Sequence, residues 1–222
     1  MADLSSVKMI VFDVDGTLAE TDDYFVEKTV VLTRKILPFI SPEKTEKIIR
    51  PVIMAGETAL HSVYRLMDMI GLDKVISVIH NRFSVKKDYV YKAVAGMQET
   101  VRLLSGHYIL GIITSGGRKS TDAFLKKYEL ENYVKYVISA EDCTYIKPHP
   151  APLRKIAEDA GVPVNNCMLV GDTIFDVICA KRAGAVSAAV KSGFDTEFLL
   201  RQHKADLYLN TVSDLPAALG VN

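Results

Sequence analysis

The first ordered pattern along the chain is a short unbroken apolar run, Met9-Ile10-Val11-Phe12, that stops abruptly at Asp13. Such a run predicts a strand covered on both faces, as in a parallel sheet. The pattern then changes. From about Glu20 to Ala93 the chain reads helical throughout, with no convincing strand. Within it Leu60, Val63, Tyr64 and Met67 recur at i, i+3, i+4 and i+7, one face of an amphipathic helix. Ser41-Pro42-Glu43 predicts a helix start: a capping hydroxyl, proline at the first helical position and an acid in the first turn.

Beyond Gly96 apolar runs and helical periods alternate. Strands are predicted over Tyr108–Thr114, Tyr136–Ser139, Cys167–Val170 and Val186–Val190, with Leu207–Leu209 a candidate short last one. Helices are predicted over Lys119–Tyr128, Pro152–Ala160 and Thr173–Ala183, the last two stopped by Gly161 and Gly184. Strands alternating with helices imply βαβ units and a parallel sheet. The expected organisation is therefore an α/β core of about five strands, residues 1–18 and 94–222, interrupted by a helical domain over residues 19–93.

Composition narrows the possible partners. Of the 222 residues 49% are hydrophobic, enough for a sizeable core. The 27 basic and 27 acidic residues cancel, which argues against a nucleic-acid or anionic-membrane surface. With no run of transmembrane length and no signal-like N-terminal segment, a cytoplasmic protein is expected, as monomer or homodimer. Cys143, Cys167 and Cys179 are odd in number and lack paired spacing, so reduced thiols are expected rather than zinc ligands or disulfides.

Ligands of an open α/β sheet bind beyond the carboxyl ends of its strands. Those ends carry Asp13 and Asp15, then Thr114-Ser115-Gly116-Gly117, then Lys147 in "IKPHP", then Gly171-Asp172 through Asp176. Asp13, Asp15 and Asp172 crowded together would repel one another unless a cation sits between them, and magnesium suits such hard oxygen donors. Ser115 and the small turn after it offer a hydroxyl and backbone N–H groups fit for phosphate. Thr114 is the competing hydroxyl. Lys147 is a point charge able to reach the same anion. An aspartate beside a metal, a lysine and an anion cradle can attack phosphorus to form an acyl phosphate. Asp-x-Asp-Gly also opens calcium-binding loops, but those need a preceding helix and Glu at position twelve, which here is Tyr24.

In this order the four motifs resemble those of the haloacid dehalogenase (HAD) superfamily: Asp13-Val14-Asp15-Gly16-Thr17, the hydroxyl of "ITSGG", Lys147, and Gly171-Asp172 through Asp176. The resemblance covers nearly the whole chain and implies a Rossmann-like core with a helical cap of the C1 type. It also implies roles. Asp13 would be nucleophile and magnesium ligand. Asp15 would be general acid and base, its backbone carbonyl also on the metal. Ser115, with Gly116, would bind the phosphoryl oxygens, and Lys147 would neutralise nucleophile and phosphate. Asp172 would be the second carboxylate on Mg2+. Asp176 would orient Lys147 or a metal water, and Thr17 would support the turn. Haloacid dehalogenases themselves lack the second aspartate of the first motif. Its presence as Asp15 indicates phosphoryl transfer, since a departing alkoxide needs a proton and a halide does not.

The "KPHPAPL" segment resembles the phosphoglycolate phosphatase-like subgroup, which implies a small phosphorylated metabolite as substrate, phosphoglycolate first. A phosphomutase of the β-phosphoglucomutase type shares all four motifs, and a catalytically retired binding protein is the remaining alternative. Arg118 is a candidate for holding substrate anion, or simply a solvated helix start. Gly56, which breaks the helical pattern after Arg50-Pro51, is a candidate substrate-contacting loop of the cap or a plain helix–helix turn. His149, between two prolines, reads as loop filler.

Overall fold

A computed structural model describes residues 4–20, 29–31, 33, 41–50, 67 and 92–221. The central strand is β1 (Met9–Phe12), every residue of it buried. After the inserted segment come α1 (Met97–Ser105), β2 (Ile109–Ile113), α2 (Arg118–Lys127) and β3 (Val134–Ile138). The second half runs α3 (Ala151–Asp159), β4 (Cys167–Gly171), α4 (Ile174–Ala183) and β5 (Val186–Val190). It closes with α5 (Glu197–Gln202), β6 (Leu207–Leu209) and α6 (Leu215–Ala218).

The strands form one sheet in the order β3-β2-β1-β4-β5-β6, and all neighbours pair in parallel. The candidate last strand is real: Leu207–Leu209 pairs with β5 and makes the sheet six-stranded. Strand order reverses at the β1–β4 boundary, the switch point where such sheets leave a crevice.

Side chains alternate across the sheet, so each strand feeds two cores. Ile10, Phe12, Ile112 and Val170 pack on one face with Met97, Val101 and Leu104 of α1 and Phe124 of α2. Met9, Val11, Ile113 and Leu169 pack on the other with Leu153 and Ile156 of α3 and Cys179 and Ala180 of α4. This double cover explains why β1 and β4 read as unbroken apolar runs. Helices α1 and α5 were not delineated by pattern. The first follows Gly96 in a left-handed conformation that reads as a break, and the second is a six-residue helix started by Thr196. Gly161 and Gly184 end their helices with positive φ, as expected.

The chain leaves this core and returns to it at one place. Glu20 N–H donates to the Lys92 carbonyl at 2.8 Å and Val94 N–H to the Leu18 carbonyl at 3.0 Å, forming an antiparallel bridge between Ala19 and Ala93. In the inserted stretch residues 42–50 are helical. The Ser41 side chain accepts from Lys44 N–H at 3.4 Å, matching the start signal. Met67 packs against Ala140 and Ile146 of the core. Gly56 and the rest of the stripe ending at Met67 lie outside the described residues. Among the described residues no helix is long and apolar enough to cross a membrane.

Ile112 is fully buried between β1 and β3. Ile112→Ala should lower unfolding free energy by about 2–5 kcal/mol, read as a lower urea midpoint with an unchanged slope.

Candidate active site

The segments that follow β1, β3 and β4 bring charged side chains together at the switch point. Asp13 extends the ladder of β1 by one step, its N–H donating to the Val170 carbonyl at 2.9 Å, so its backbone is fixed by the sheet. Asp172 follows β4 directly, and Asp176 lies in the first turn of α4. Lys147 stands in the segment between β3 and α3 and is buried. Its Nζ lies 2.8 Å from Asp13 Oδ1 and 2.6 Å from Asp176 Oδ1.

The acids are held from behind. Asp176 Oδ2 accepts from Thr173 Oγ1 at 2.6 Å and from Thr173 N–H at 3.1 Å, a capping box that starts α4 and aims Oδ1 at Lys147. Asp172 Oδ1 accepts from Thr17 Oγ1 at 3.0 Å, and Oδ2 from Phe194 N–H at 2.8 Å. Gly16 has φ +80°, and a Cβ there would lie 2.2 Å from Asp172 Oδ2. The turn after β1 therefore demands glycine twice over, for its conformation and for the room it leaves Asp172. Asp13, Asp172 and Asp176 each offer an oxygen within 4.8 Å of the others. Three buried carboxylates facing one ammonium leave a local excess of negative charge, and hard oxygen donors at this spacing could hold a divalent cation such as magnesium.

The electrostatics carry the same signature. Burial pushes the Asp13 carboxyl from its ordinary 3.8 up to about 7; the negative charges of Asp176 and Asp15 add to the rise and Lys147 opposes it. Asp172 is pushed well above its ordinary value by burial and by Asp13 and Asp176. Burial alone would push the Lys147 ammonium down, but Asp13 and Asp176 more than reverse this, and it ends above its ordinary value. The lysine thus stays charged while the crowded carboxyls compete for protons.

Asp15 is half-buried, less enclosed than Asp13. A Cβ on Gly116 would lie 3.6 Å from its Oδ2 and 3.2 Å from Thr114 Oγ1, so the turn after β2 borders the Asp15 carboxylate. Ser115 is half-buried; Thr114 is buried and its hydroxyl accepts from Gly116 N–H at 2.9 Å. Arg118 faces carboxylates: Nε is 2.9 Å from Asp122 and Nη1 3.7 Å from Asp142. Gly56 lies outside the described residues. His149 is more than loop filler. Its ring stacks on Tyr145 with centroids 4.0 Å apart, and its Nδ1 accepts from Ala151 N–H at the start of α3. The segment after β5, Ser192–Asp195, escaped the sequence reading. Reading that strand end as the others were read would have exposed Gly193 beside a polar residue.

A family model for haloacid dehalogenase-like hydrolases matches residues 10–190. The chain belongs to that family. A HAD hydrolase is thus the frame for these strand-end acids. Among curated proteins the chain is 25% identical over 220 residues to pyrophosphatase PpaX of Bacillus cereus strain AH820, covering 94% of each. Among solved structures it resembles a predicted phosphoglycolate phosphatase from Haemophilus somnus 129PT (TM-score 0.64, 19% identity, 96% of this chain and 98% of that one). It also resembles a HAD phosphatase from Thermococcus onnurineus (TM-score 0.60, 24% identity, 97% and 99%). These structural likenesses carry the fold of this HAD hydrolase.

Between pH 3.8 and about 7 the folded, metal-free protein keeps a proton on Asp13 that the unfolded chain has released. Its stability therefore falls as pH rises through that window. Thermal melts in chelator should show the midpoint dropping from pH 5 to pH 7.5, with a shallower drop in Asp13→Asn. A midpoint that climbs over this range in wild type would contradict the assignment.

Proposed function

We propose that this HAD hydrolase is a magnesium-dependent phosphatase of a small phosphorylated metabolite, working through an aspartyl-phosphate on Asp13. The observation that carries the reading is Lys147 Nζ, held at 2.8 Å from Asp13 and 2.6 Å from Asp176 beside Asp172 at the sheet's switch point. Asp13 attacks phosphorus through a carboxylate oxygen as the ester P–O bond breaks. Asp15, placed nearer the mouth, gives its proton to the departing oxygen. It then takes one from the water that opens the acyl phosphate, releasing phosphate and restoring Asp13. Lys147 offsets charge on nucleophile and phosphoryl group, and the hydroxyl of Ser115 or its neighbour Thr114, with Gly116 N–H, binds phosphoryl oxygens. Asp13 and Asp172, with the Asp15 carbonyl, would hold the ion, while Asp176, whose oxygens serve Lys147 and Thr173, orients the lysine. Once bound, magnesium would polarise the phosphoryl oxygens and offset the carboxylate excess.

The reading includes a cap over residues 19–93, with the core in residues 1–18 and 94–222, supported by the Ala19–Ala93 bridge where the chain departs and returns. Gly56 would be a substrate-contacting residue of that cap. Arg118 stays at the rim, its charge shared with Asp122 and Asp142. Phosphoglycolate remains the first substrate to try. The relative named a pyrophosphatase makes pyrophosphate the second.

A panel of phosphorylated metabolites assayed for phosphate release should give turnover that chelator removes and magnesium restores. Isomerisation of a sugar phosphate without phosphate release would replace this reading with a phosphomutase. Asp13→Asn should bring phosphate release down to background with its melt at pH 5 close to wild type, because Asn can still accept from Lys147. Near-normal turnover in that variant would sink the covalent mechanism.

A further inference from the structure

The turn after β5 also touches the site. Phe194 N–H donates to Asp172 Oδ2 at 2.8 Å. A Cβ on Gly193 would lie 2.0 Å from that same oxygen and 2.4 Å from Asp172 Cβ and Cγ. Asp172 Oδ2 is thus closely approached by two glycine backbones, Gly16 and Gly193. The turn is itself anchored. The carboxylate of the buried Asp195 accepts from Ile174 N–H at 2.7 Å, at the start of α4. Ser192 Oγ donates to the Gly16 carbonyl at 3.4 Å, and Lys191 N–H donates to the Leu209 carbonyl at 3.0 Å.

We propose that Ser192–Asp195 is a positioning element for Asp172: Gly193 leaves the space the carboxylate occupies, and Phe194 N–H fixes one of its oxygens. As far as metal binding is concerned, this rests on the phosphatase reading above. Because the turn is tied to α4, β6 and the turn after β1, a side chain at Gly193 moves Asp172 before it moves the turn. A carboxylate confined in this way arrives at a cation already oriented, and outer partners of this kind matter to affinity nearly as much as the ligands.

Gly193 offers a clean test because it does not lie among the positive-φ glycines, so alanine adds a methyl group without backbone strain. Gly193→Ala should bind Mg2+ about 10- to 100-fold more weakly by titration calorimetry and melt lower than wild type in chelator. In an Asp172→Gly background, where the carboxylate and the Cβ that the new methyl group would meet are both gone, the same change should cost little in the melt. A general structural role would cost the same in both backgrounds, and that additivity would overturn the proposal, as would wild-type magnesium affinity in Gly193→Ala. If Gly193→Ala is insoluble, recovery of soluble protein by the double variant supports the proposal, and its failure to recover overturns it. Should wild type bind no Mg2+, the metal reading fails, and the chelator melts alone decide whether the turn positions Asp172.

Discussion

One buried ammonium makes this site possible. Taking charges out of water costs several kcal/mol apiece, and the β1–β4 switch point buries Asp13, Asp172 and Asp176 together. Among the described residues Lys147 is the one basic side chain buried with them, bridging the first and the last of the three. Its segment, between β3 and α3, reaches across from the far half of the sheet to do so. A buried ion pair of this kind is a poor source of net stability, and its persistence is better understood as a means of fixing geometry. The sheet places the carboxylates and the lysine keeps them there, against their own repulsion.

The rest of the architecture serves this arrangement. Parallel strands aim their carboxyl ends the same way, so Asp13 and Asp172, far apart in sequence, meet directly at adjacent strand ends. The α4 capping box does two jobs at once: it satisfies the helix start and leaves the second oxygen of Asp176 for Lys147. Thr17, fully buried, connects the turn after β1 to Asp172 across the switch point. The two halves of the fold are stitched together by the polar residues the chemistry uses, while Phe12, Ile112 and Val170 fill the space beneath.

Much of this was legible in the sequence. Met9–Phe12 and Cys167–Val170 announced buried strands because both their faces are covered, and Gly161 and Gly184 marked helix ends. Asp13 and Asp172 could be placed because each follows an apolar run at once, and Lys147 because its loop leaves the end of a third strand; strand ends converge by topology. What sequence could not show was which atoms face which. That Thr17 donates to Asp172, or that Gly193 stands against it, depends on segments brought together by tertiary packing, with no periodic signal in either stretch. The competition between Thr114 and Ser115 is of the same sort, since one step along an extended chain turns a side chain to the opposite face. His149 was passed over because ring stacking on Tyr145 and an acceptor at the start of α3 leave no mark on hydropathy.

The Ala19–Ala93 bridge has a thermodynamic consequence. Because departure and return are clasped by main-chain hydrogen bonds, the core treats everything between them as a loop whose ends are already joined. Closure entropy grows only with the logarithm of length, about 0.6 kcal/mol for each doubling. The intervening segment could be lengthened, shortened or exchanged at small expense to the sheet. A change of length there would leave the strand-end acids where the sheet holds them.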